Sequence, residues 1–431
     1  MAYKIDKLRF SYWVLIIVMW TLSFGTYRPS DRVMPIDIGS VDWIAFAKLV
    51  SRVAGFVCLV GVLFRMRGTK LSGVILRRFV PLVLFSCWAL ISTSWSPLKA
   101  FTFGKAFGLC LLTVLGAVAG TVCVDRRLLS GIVFHVSVLL LVFSLANLIG
   151  IIGFTDFHIR EGIFTHKNEG AQIAGFGLVI LLLSKLLFNW DWVRWLVIAA
   201  IVVELPFLLL SNSRTSIIMS LAVIILSITA LVRFRTLVML CFPVVFALIT
   251  MVSLDPTWDV MGYGWENIHE YVTRGQSERE LATFTGRTDK WGLVISEFMR
   301  SPIIGFGYGV TSPTGYHYLN EKWQLLNAHN AFLSVLSGTG LIGMALFVWG
   351  VWRLLSPQYS SMQGSGFVRK RAVYVFFTMM WCFGVGMLEL SFLDSVGVPS
   401  VVAYMMFGIA AGTDPMLEKK VLAFMGRVHR D

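Results

Sequence analysis

The sequence contains few charged residues. Of its 431 residues only 14% are charged, whereas 57% are hydrophobic, and 33 Phe and 15 Trp are among them. A soluble domain usually carries about a quarter charged residues. The shortage of charge excludes a water-soluble globular protein, and the apolar content excludes an intrinsically disordered one.

Several motifs are also missing. The sequence has no CxxC pair, and its six cysteines lie in apolar runs or at their edges, which argues against a disulfide framework or a zinc site. It has no P-loop and no Rossmann fingerprint, so ATP and nucleotide sugars are poor candidate substrates. The first apolar run, 10–27, lacks a small-residue cleavage site and is expected to be retained. We expect neither a metal ion nor a cofactor.

Long apolar runs, in contrast, recur along the chain. Each is about 20 residues long, enough to cross a bilayer core of about 30 Å. They predict an all-α polytopic membrane protein with twelve spans, at approximately 10–27, 43–64, 79–95, 101–123, 131–153, 171–189, 192–210, 214–232, 236–253, 328–352, 372–391 and 397–413. We expect a single integral membrane domain, 1–431, with one large polar loop containing short helices, 254–327, inserted between spans nine and ten.

The formal net charge of +13 is explained by the positive-inside bias of membrane proteins rather than by nucleic-acid binding. With the N-terminus in the cytoplasm, the cytoplasmic segments hold 22 of the 37 basic residues and six of the 24 acidic ones, a net +16. The external segments then carry −3. Both termini are therefore predicted to be cytoplasmic and the loop 254–327 external.

The predicted external side carries an unusual arginine. Arg214 lies between two apolar spans in the turn 211–216, among hydroxyl groups such as Ser213, with Glu204 and Pro206 just before it. An arginine at membrane depth usually faces a protein interior or a wet cavity. The turn therefore suggests an anion pocket; the alternative is a guanidinium that snorkels to the interface.

A second basic element begins at Arg287, near the start of a predicted amphipathic helix. A helix N-terminus and a guanidinium together favour phosphate oxygens, although a solvated surface helix is equally compatible with the pattern. The GxGxG motif at 305–309 lacks the context of a nucleotide fold and predicts a turn. The apolar face of the helix, expected to lie along the membrane surface, comprises Trp291, Val294, Ile295 and Phe298.

The third element opens span ten. Asn327 is a suitable N-cap for that helix, which would place His329 in its first turn at the membrane boundary. Nine residues separate Asn330 from Gly340, and at helical spacing His329, Gly340 and Gly343 would share a stripe with two leucines, forming a shallow groove. The alternative is a glycine packing seam with an incidental histidine.

Together these residues suggest chemistry on a lipid-linked phosphate. Arginines bind phosphate through two parallel hydrogen bonds. A histidine, with an ordinary pKa of about 6.5, can accept a proton near neutral pH.

These motifs resemble the O-antigen ligase/polymerase family of bacterial envelope glycosyltransferases. The resemblance spans about residues 85–350. It comprises His329-Asn330-x9-Gly340-xx-Gly343, the Ser213-Arg214 turn, the segments 287–291 and 164–168, and Ser94-Trp95-Ser96.

The resemblance implies a multi-helix glycosyltransferase of the C type at the bacterial inner membrane, with its active site in the periplasm. Its donor would be an undecaprenyl-diphosphate-linked saccharide, transferred with inversion and without a metal ion. Arg214, Arg287 and Arg160 would hold the diphosphate, and His329 would orient or deprotonate the acceptor hydroxyl. The supporting residues would be Asn330, Ser213, Lys167, Asn168, Gly340 and Gly343. Membrane lipids, a flippase and a chain-length regulator are further expected partners.

Two activities within the family differ in their acceptor. A polymerase extends a lipid-linked glycan, whereas a ligase transfers the glycan to lipid A–core. The segment His166-Lys167-Asn168 resembles the exopolysaccharide-polymerase branch more than the ligases, which favours a polymerase.

Two other classes remain open from the residues alone. One is a twelve-helix transporter or flippase of sugars, and the other is a scaffold of an envelope synthesis complex. Transporters place ionisable residues near the bilayer midplane. Here the only plausible intramembrane carboxylates are Glu204 and Glu389, which could be partners of Arg214 or structural residues.

Overall fold

A computed structural model of the protein describes residues 2–24, 43–67, 70–153, 167–188, 190–211, 213–231, 287–311, 329–389, 392–393 and 396–412. Of these residues 86% are α-helical and none is in a strand, which confirms the all-α prediction. The helices are α1 Ala2–Phe24, α2 Trp43–Arg65, α3 Lys70–Ile91, α4 Lys99–Val122, α5 Arg126–Gly153, α6 Lys167–Leu187, α7 Asp191–Leu210, α8 Arg214–Leu231, α9 Arg287–Phe298, α10 Ala331–Ser361, α11 Gly366–Gly386 and α12 Val398–Gly412.

Membrane-spanning character is evident within these ranges. Eight of the described helices are long and apolar enough to cross a membrane, and α8 and α12 are shorter apolar helices. Eleven of the predicted spans overlap a helix, with the largest shifts at α3 and at the end of α10. The ninth predicted span, 236–253, and all of the loop 254–327 except 287–311 lie outside the described residues, so the span count and the loop boundaries stay predictions.

The centre of the bundle is the pair α4 and α12. Every residue of α12 is buried. A methyl group on Gly408 of α12 would overlap the backbone of Gly116 and Gly120 on α4, so the two helices meet backbone to backbone. Such close approach at small residues gives van der Waals packing. This packing stabilises helix pairs in a membrane, because the hydrophobic effect does not drive apolar helices together in lipid.

The outward faces of the helices are apolar. Val57 on α2, Val202 on α7 and Ile218 on α8 are each more than 60% exposed. Exposed apolar surface on this scale is unusual for a soluble monomer. It fits contact with lipid chains.

Helix α10 is interrupted at Gly340, whose φ of 68° and ψ of −171° are not helical. The segment 301–311, here called the glycine loop, fills the interruption and hydrogen-bonds to the backbone groups on both sides of it. These bonds run from Phe306 N to Ser337 O (3.0 Å), Gly307 N to Gly338 O (2.8 Å), Leu341 N to Pro302 O (2.8 Å) and Ile342 N to Ile303 O (3.3 Å). The prediction of one continuous helical stripe from His329 to Gly343 is therefore wrong, because the helix changes course at Gly340.

Gly340→Ala is expected to destabilise the protein. A methyl group there would overlap the carbonyl of Ile303, and a positive φ costs a non-glycine residue about 1–3 kcal/mol by itself. The measurement is the thermal unfolding temperature in detergent. Gly292→Ala on α9 is the matched control, because a methyl group there meets nothing within 4 Å. An equal unfolding temperature for the two variants would contradict the role of the interruption.

Candidate active site

His329 directly precedes α10 and has a backbone conformation that is uncommon for its residue type. Its φ is 42°, in the left-handed region, where non-glycine residues are rare. The helix is capped by Asn330, whose Oδ1 accepts hydrogen bonds from Phe332 N (2.9 Å) and Leu333 N (3.0 Å). The prediction of Asn327 as the N-cap is thus wrong, and His329 lies before the first turn rather than within it; Asn327 lies outside the described residues.

The carboxylate of Glu389 lies between His329 and Asn168. Its Oε2 is 3.9 Å from His329 Nδ1, a distance for an ion pair when the imidazole is protonated. Its Oε1 accepts a 2.7 Å hydrogen bond from Asn168 Nδ2. The side chain of Glu389 is only 7% exposed and that of His329 26%, so the carboxylate is shielded while the imidazole stays accessible.

The three residues come from distant parts of the chain. Asn168 is the second residue of α6, His329 precedes α10, and Glu389 follows the end of α11. The sequence marked Asn168 and His329 separately and offered Glu389 only as a partner of Arg214 or a structural residue. The only signal in the sequence was the position of Glu389, an acidic residue at the end of an apolar span. That position does not predict which residue the carboxylate contacts.

Arg214 is the first residue of α8 and is half-buried. The hydroxyl groups around it are buried: Ser213 is 3% exposed, and its Oγ donates to Ser216 Oγ at 3.3 Å. The half-buried side chain of Arg214 is therefore partly surrounded by protein rather than fully exposed to solvent. This environment fits the anion-pocket interpretation better than snorkelling.

Below this end of the bundle, α6, α8 and α11 are joined by the Ser220 cluster, which comprises Gly175, Phe176, Ser220 and Trp381. Ser220 Oγ donates to Gly175 O at 3.3 Å and accepts from Trp381 Nε1 at 3.0 Å. The ring of Trp381 stacks on that of Phe176, with centroids 4.6 Å apart and planes at 8°. The absence of a side chain at Gly175 lets α8 approach, since a methyl group there would lie 2.8 Å from Ser220 Oγ.

The Ser220 cluster provides a reference point for the depth of the candidate site residues along the bundle. Asn168 lies seven residues from Gly175, Arg214 six from Ser220, and Glu389 eight from Trp381, all toward the same end of the bundle. At 1.5 Å per residue each is about 10 Å from the cluster. The backbone of Arg214 thus lies at about the same depth as that of Glu389.

The glycine loop reaches the same end of the bundle. Trp95 Nε1 donates to Gly305 O at 3.2 Å, and Tyr308 N donates to Ser92 Oγ at 3.0 Å. The hydroxyl of Tyr308 donates to the carbonyl of Leu393, four residues after Glu389. The predicted turn at 305–309 is present, and its three glycines have positive φ; its role in filling the α10 interruption was not foreseen.

Helix α9 confirms the predicted helix after Gly286, with Arg287 as its first residue. It packs on α10, and Val294 is its buried contact, 1% exposed. Ile295, predicted on the same apolar face, is instead 46% exposed. Exposed Ile295 and Leu293 give α9 an apolar surface away from the protein.

The remaining predicted residues divide into two groups. Gly340 and Gly343 have structural roles: Gly340 is the interruption of α10, and Gly343 packs against Thr339 and Trp88. Arg160 lies outside the described residues, as do the side chains of Lys167 and Arg287, so their predicted contacts stay predictions.

Among the described residues no group of three or more His, Cys, Asp or Glu is placed to hold a metal ion.

Glu204, the second intramembrane carboxylate, is fully buried on α7. It packs against Gly177 of α6, where a methyl group would overlap the carboxylate. Its oxygens make no hydrogen bond within the described part of the chain. Glu204 is therefore not brought to His329.

Comparison with known families adds one match. Residues 199–348 match the family model described as O-antigen ligase. This match supports a similarity of the chain to the O-antigen ligase/polymerase family. The matched stretch covers about a third of the chain and includes Arg214, Arg287 and His329, whereas Asn168 and Glu389 lie outside it. A comparison with curated proteins found no match.

Trp381→Phe is expected to lower the thermal unfolding temperature. Phenylalanine keeps a ring to stack on Phe176 but loses the hydrogen bond to Ser220, which costs about 0.5–1.5 kcal/mol besides the lost volume. Trp352→Phe is the control, because Trp352 is 69% exposed. The Ser220 cluster would not be a stabilising contact if both variants unfolded at the wild-type temperature.

Proposed function

We propose that this O-antigen ligase/polymerase-type glycosyltransferase faces the periplasm from the bacterial inner membrane, with both of its termini in the cytoplasm. Its donor is an undecaprenyl-diphosphate-linked saccharide, and it polymerises exopolysaccharide or O-antigen repeat units. The single observation that carries the proposal is the contact of His329 with a shielded carboxylate at the end of the bundle where α8 begins with Arg214.

His329 acts as the general base in this account. Its Nδ1 lies 3.9 Å from Glu389, and we assign the proton transfer from the acceptor hydroxyl to Nε2. As the acceptor oxygen attacks the anomeric carbon, the hydroxyl proton passes to Nε2. The imidazolium that forms is then stabilised by the negative charge of Glu389, in the way that a carboxylate orients and supports a catalytic histidine elsewhere.

Arg214 and Arg287 bind the diphosphate. The bond between the anomeric carbon and the phosphate oxygen breaks with inversion, and undecaprenyl diphosphate leaves with its electron pair. Guanidinium groups offset the charge that develops on the leaving oxygen, a contribution whose removal typically costs 100- to 1,000-fold in rate. Cationic side chains thereby take the part that a divalent ion has in other glycosyltransferases, and we propose that transfer is metal-independent. Arg160 is proposed as a third cation.

The apolar surface of α9 fits a lipid-linked donor. Leu293, Ile295 and Met299 are 40–66% exposed, beside the helix that begins with Arg287. A helix with such a face lies in the membrane interface. It would place a diphosphate-binding residue at the depth where the phosphates of a polyprenyl donor lie.

A transporter is less well supported. Transporters use the unwound backbone of interrupted helices to coordinate ions. At the interruption of α10 the backbone groups are taken by the glycine loop, and Thr339 O accepts from Trp88 Nε1 at 2.9 Å. These backbone groups already have hydrogen-bond partners within the protein, which argues against ion coordination by them.

The function is tested with purified protein and lipid-linked repeat units, first alone and then with lipid A–core. Chain lengthening without lipid A–core is the expected result, and His329→Ala abolishes it. Product formed only with lipid A–core would make the protein a ligase. No transfer in either mixture, from folded protein, would contradict the glycosyltransferase proposal. His135→Ala controls for loss of a histidine, since His135 packs against Tyr12 and Trp13 on another face.

Glu389→Gln is expected to lower the transfer rate about 10- to 100-fold, because an interaction with a charged group is worth about 1.5–3 kcal/mol. The amide oxygen can still accept the hydrogen bond from Asn168. The substitution therefore removes only the negative charge that stabilises the imidazolium. Glu297→Gln is the matched control, since Glu297 forms a surface ion pair with Arg300 at 3.0 Å. A wild-type rate for Glu389→Gln would remove Glu389 from the mechanism.

Arg287→Lys tests the diphosphate contact. Lysine keeps the positive charge but loses the planar fork that binds two phosphate oxygens at once, so the transfer rate should fall at least tenfold. Arg300→Lys on the exposed turn after α9 should retain the wild-type rate. Equal rates for the two variants would mean that Arg287 acts, if at all, as a point charge.

A further inference from the structure

A basic pocket lies at the end of α10 that is remote from His329. It has a volume of about 340 Å³ and opens between α3 and α10. From Gly340, where α10 changes course, to Arg353 the helix extends about 20 Å at 1.5 Å per residue, and His329 lies a further eleven residues before Gly340. The lining residues are Val74, Arg77, Arg78, Arg353, Ser356 and Pro357.

The pocket forms where the close packing of α3 and α10 ends. One turn nearer the bundle centre, Leu82 fills the space beside Gly350, where a methyl group would lie 2.6 Å from Leu82 Cδ2. Toward the helix ends the contact residues become long and charged. The gap between the helices is therefore left open, and three arginine side chains line it together with Val74, Ser356 and Pro357.

The charge of the pocket is positive. Three of its six lining residues are arginines, and none of the six is acidic. Arginine side chains at one site favour an anion there, and the fork geometry of the guanidinium group matches phosphate oxygens. The pocket thus fits a phosphate group.

Lipid-facing surface adjoins the pocket on both helices. Leu76 and Val80 on α3 are 37% and 41% exposed, and Trp349 and Trp352 on α10 are 44% and 69% exposed. Tryptophan at such positions marks the membrane–water interface. A ligand with a phosphate head and apolar chains would contact both the arginines and this flank.

We propose that the pocket binds the headgroup phosphate of an anionic phospholipid from the adjacent leaflet. In the proposed topology this is the cytoplasmic leaflet, where basic pockets between helices bind anionic headgroups. The site is separate from the proposed active site and does not depend on the transfer chemistry.

The test is a titration of the detergent-purified full chain with phosphatidylglycerol, read as lipid retained in native mass spectrometry. Each arginine near an anionic headgroup contributes about fivefold in affinity, so Arg77→Gln with Arg353→Gln should weaken binding about 30-fold. Arg127→Gln, an exposed arginine at the start of α5, should change it less than twofold. Arg353→Gln alone, expected to weaken binding about fivefold, replaces the double variant if that variant does not fold.

Two further arms identify the ligand. Phosphatidylcholine should bind at least tenfold more weakly than phosphatidylglycerol, and inorganic phosphate at millimolar concentration should not displace bound phosphatidylglycerol. Equal binding of the two lipids, or unchanged binding by the double variant, would overturn the proposal. Displacement by inorganic phosphate alone would show a soluble anion site and overturn the lipid assignment.

Discussion

The Glu389 carboxylate is the constraint on which the candidate site depends. A carboxylate that is 7% exposed at the end of an apolar bundle must be satisfied by protein groups, because burying an unpaired charge is costly. Asn168 donates a hydrogen bond to it and His329 lies 3.9 Å from it, and these two residues come from α6 and from the residue before α10. The imidazole thus has Nδ1 3.9 Å from the carboxylate while its side chain stays 26% exposed.

Two glycine-dependent contacts hold the helices that carry these residues. Gly175 lets α8 and α11 meet α6 at Ser220, so the first residue of α8 and the end of α11 lie at one level. Gly340 interrupts α10, and the glycine loop occupies the interruption with its own backbone. The position of His329 thus follows from backbone geometry some ten residues away, while the chemistry follows from a few polar side chains at the rim.

The sequence predicted what is local. Hydropathy located the described helices, because apolar length is what a bilayer selects. Arg214, His329 and Asn168 were singled out because polar residues stand out against apolar spans. The pairing of Glu389 with His329, the hydrogen bonds of Ser220 and the interruption at Gly340 were not predicted, since each depends on residues far apart in the chain. The helix start after Asn330 was misplaced because Asn327 and Asn330 are equally good caps by residue type.

The most direct measurement of the central claim is a cryo-electron microscopy structure of the protein with undecaprenyl diphosphate bound. The account predicts that the Arg214 and Arg287 guanidinium groups contact the diphosphate oxygens and that His329 Nε2 faces the space beside them, with Nδ1 toward Glu389. A diphosphate bound elsewhere, or one held without either arginine and away from His329, would contradict it.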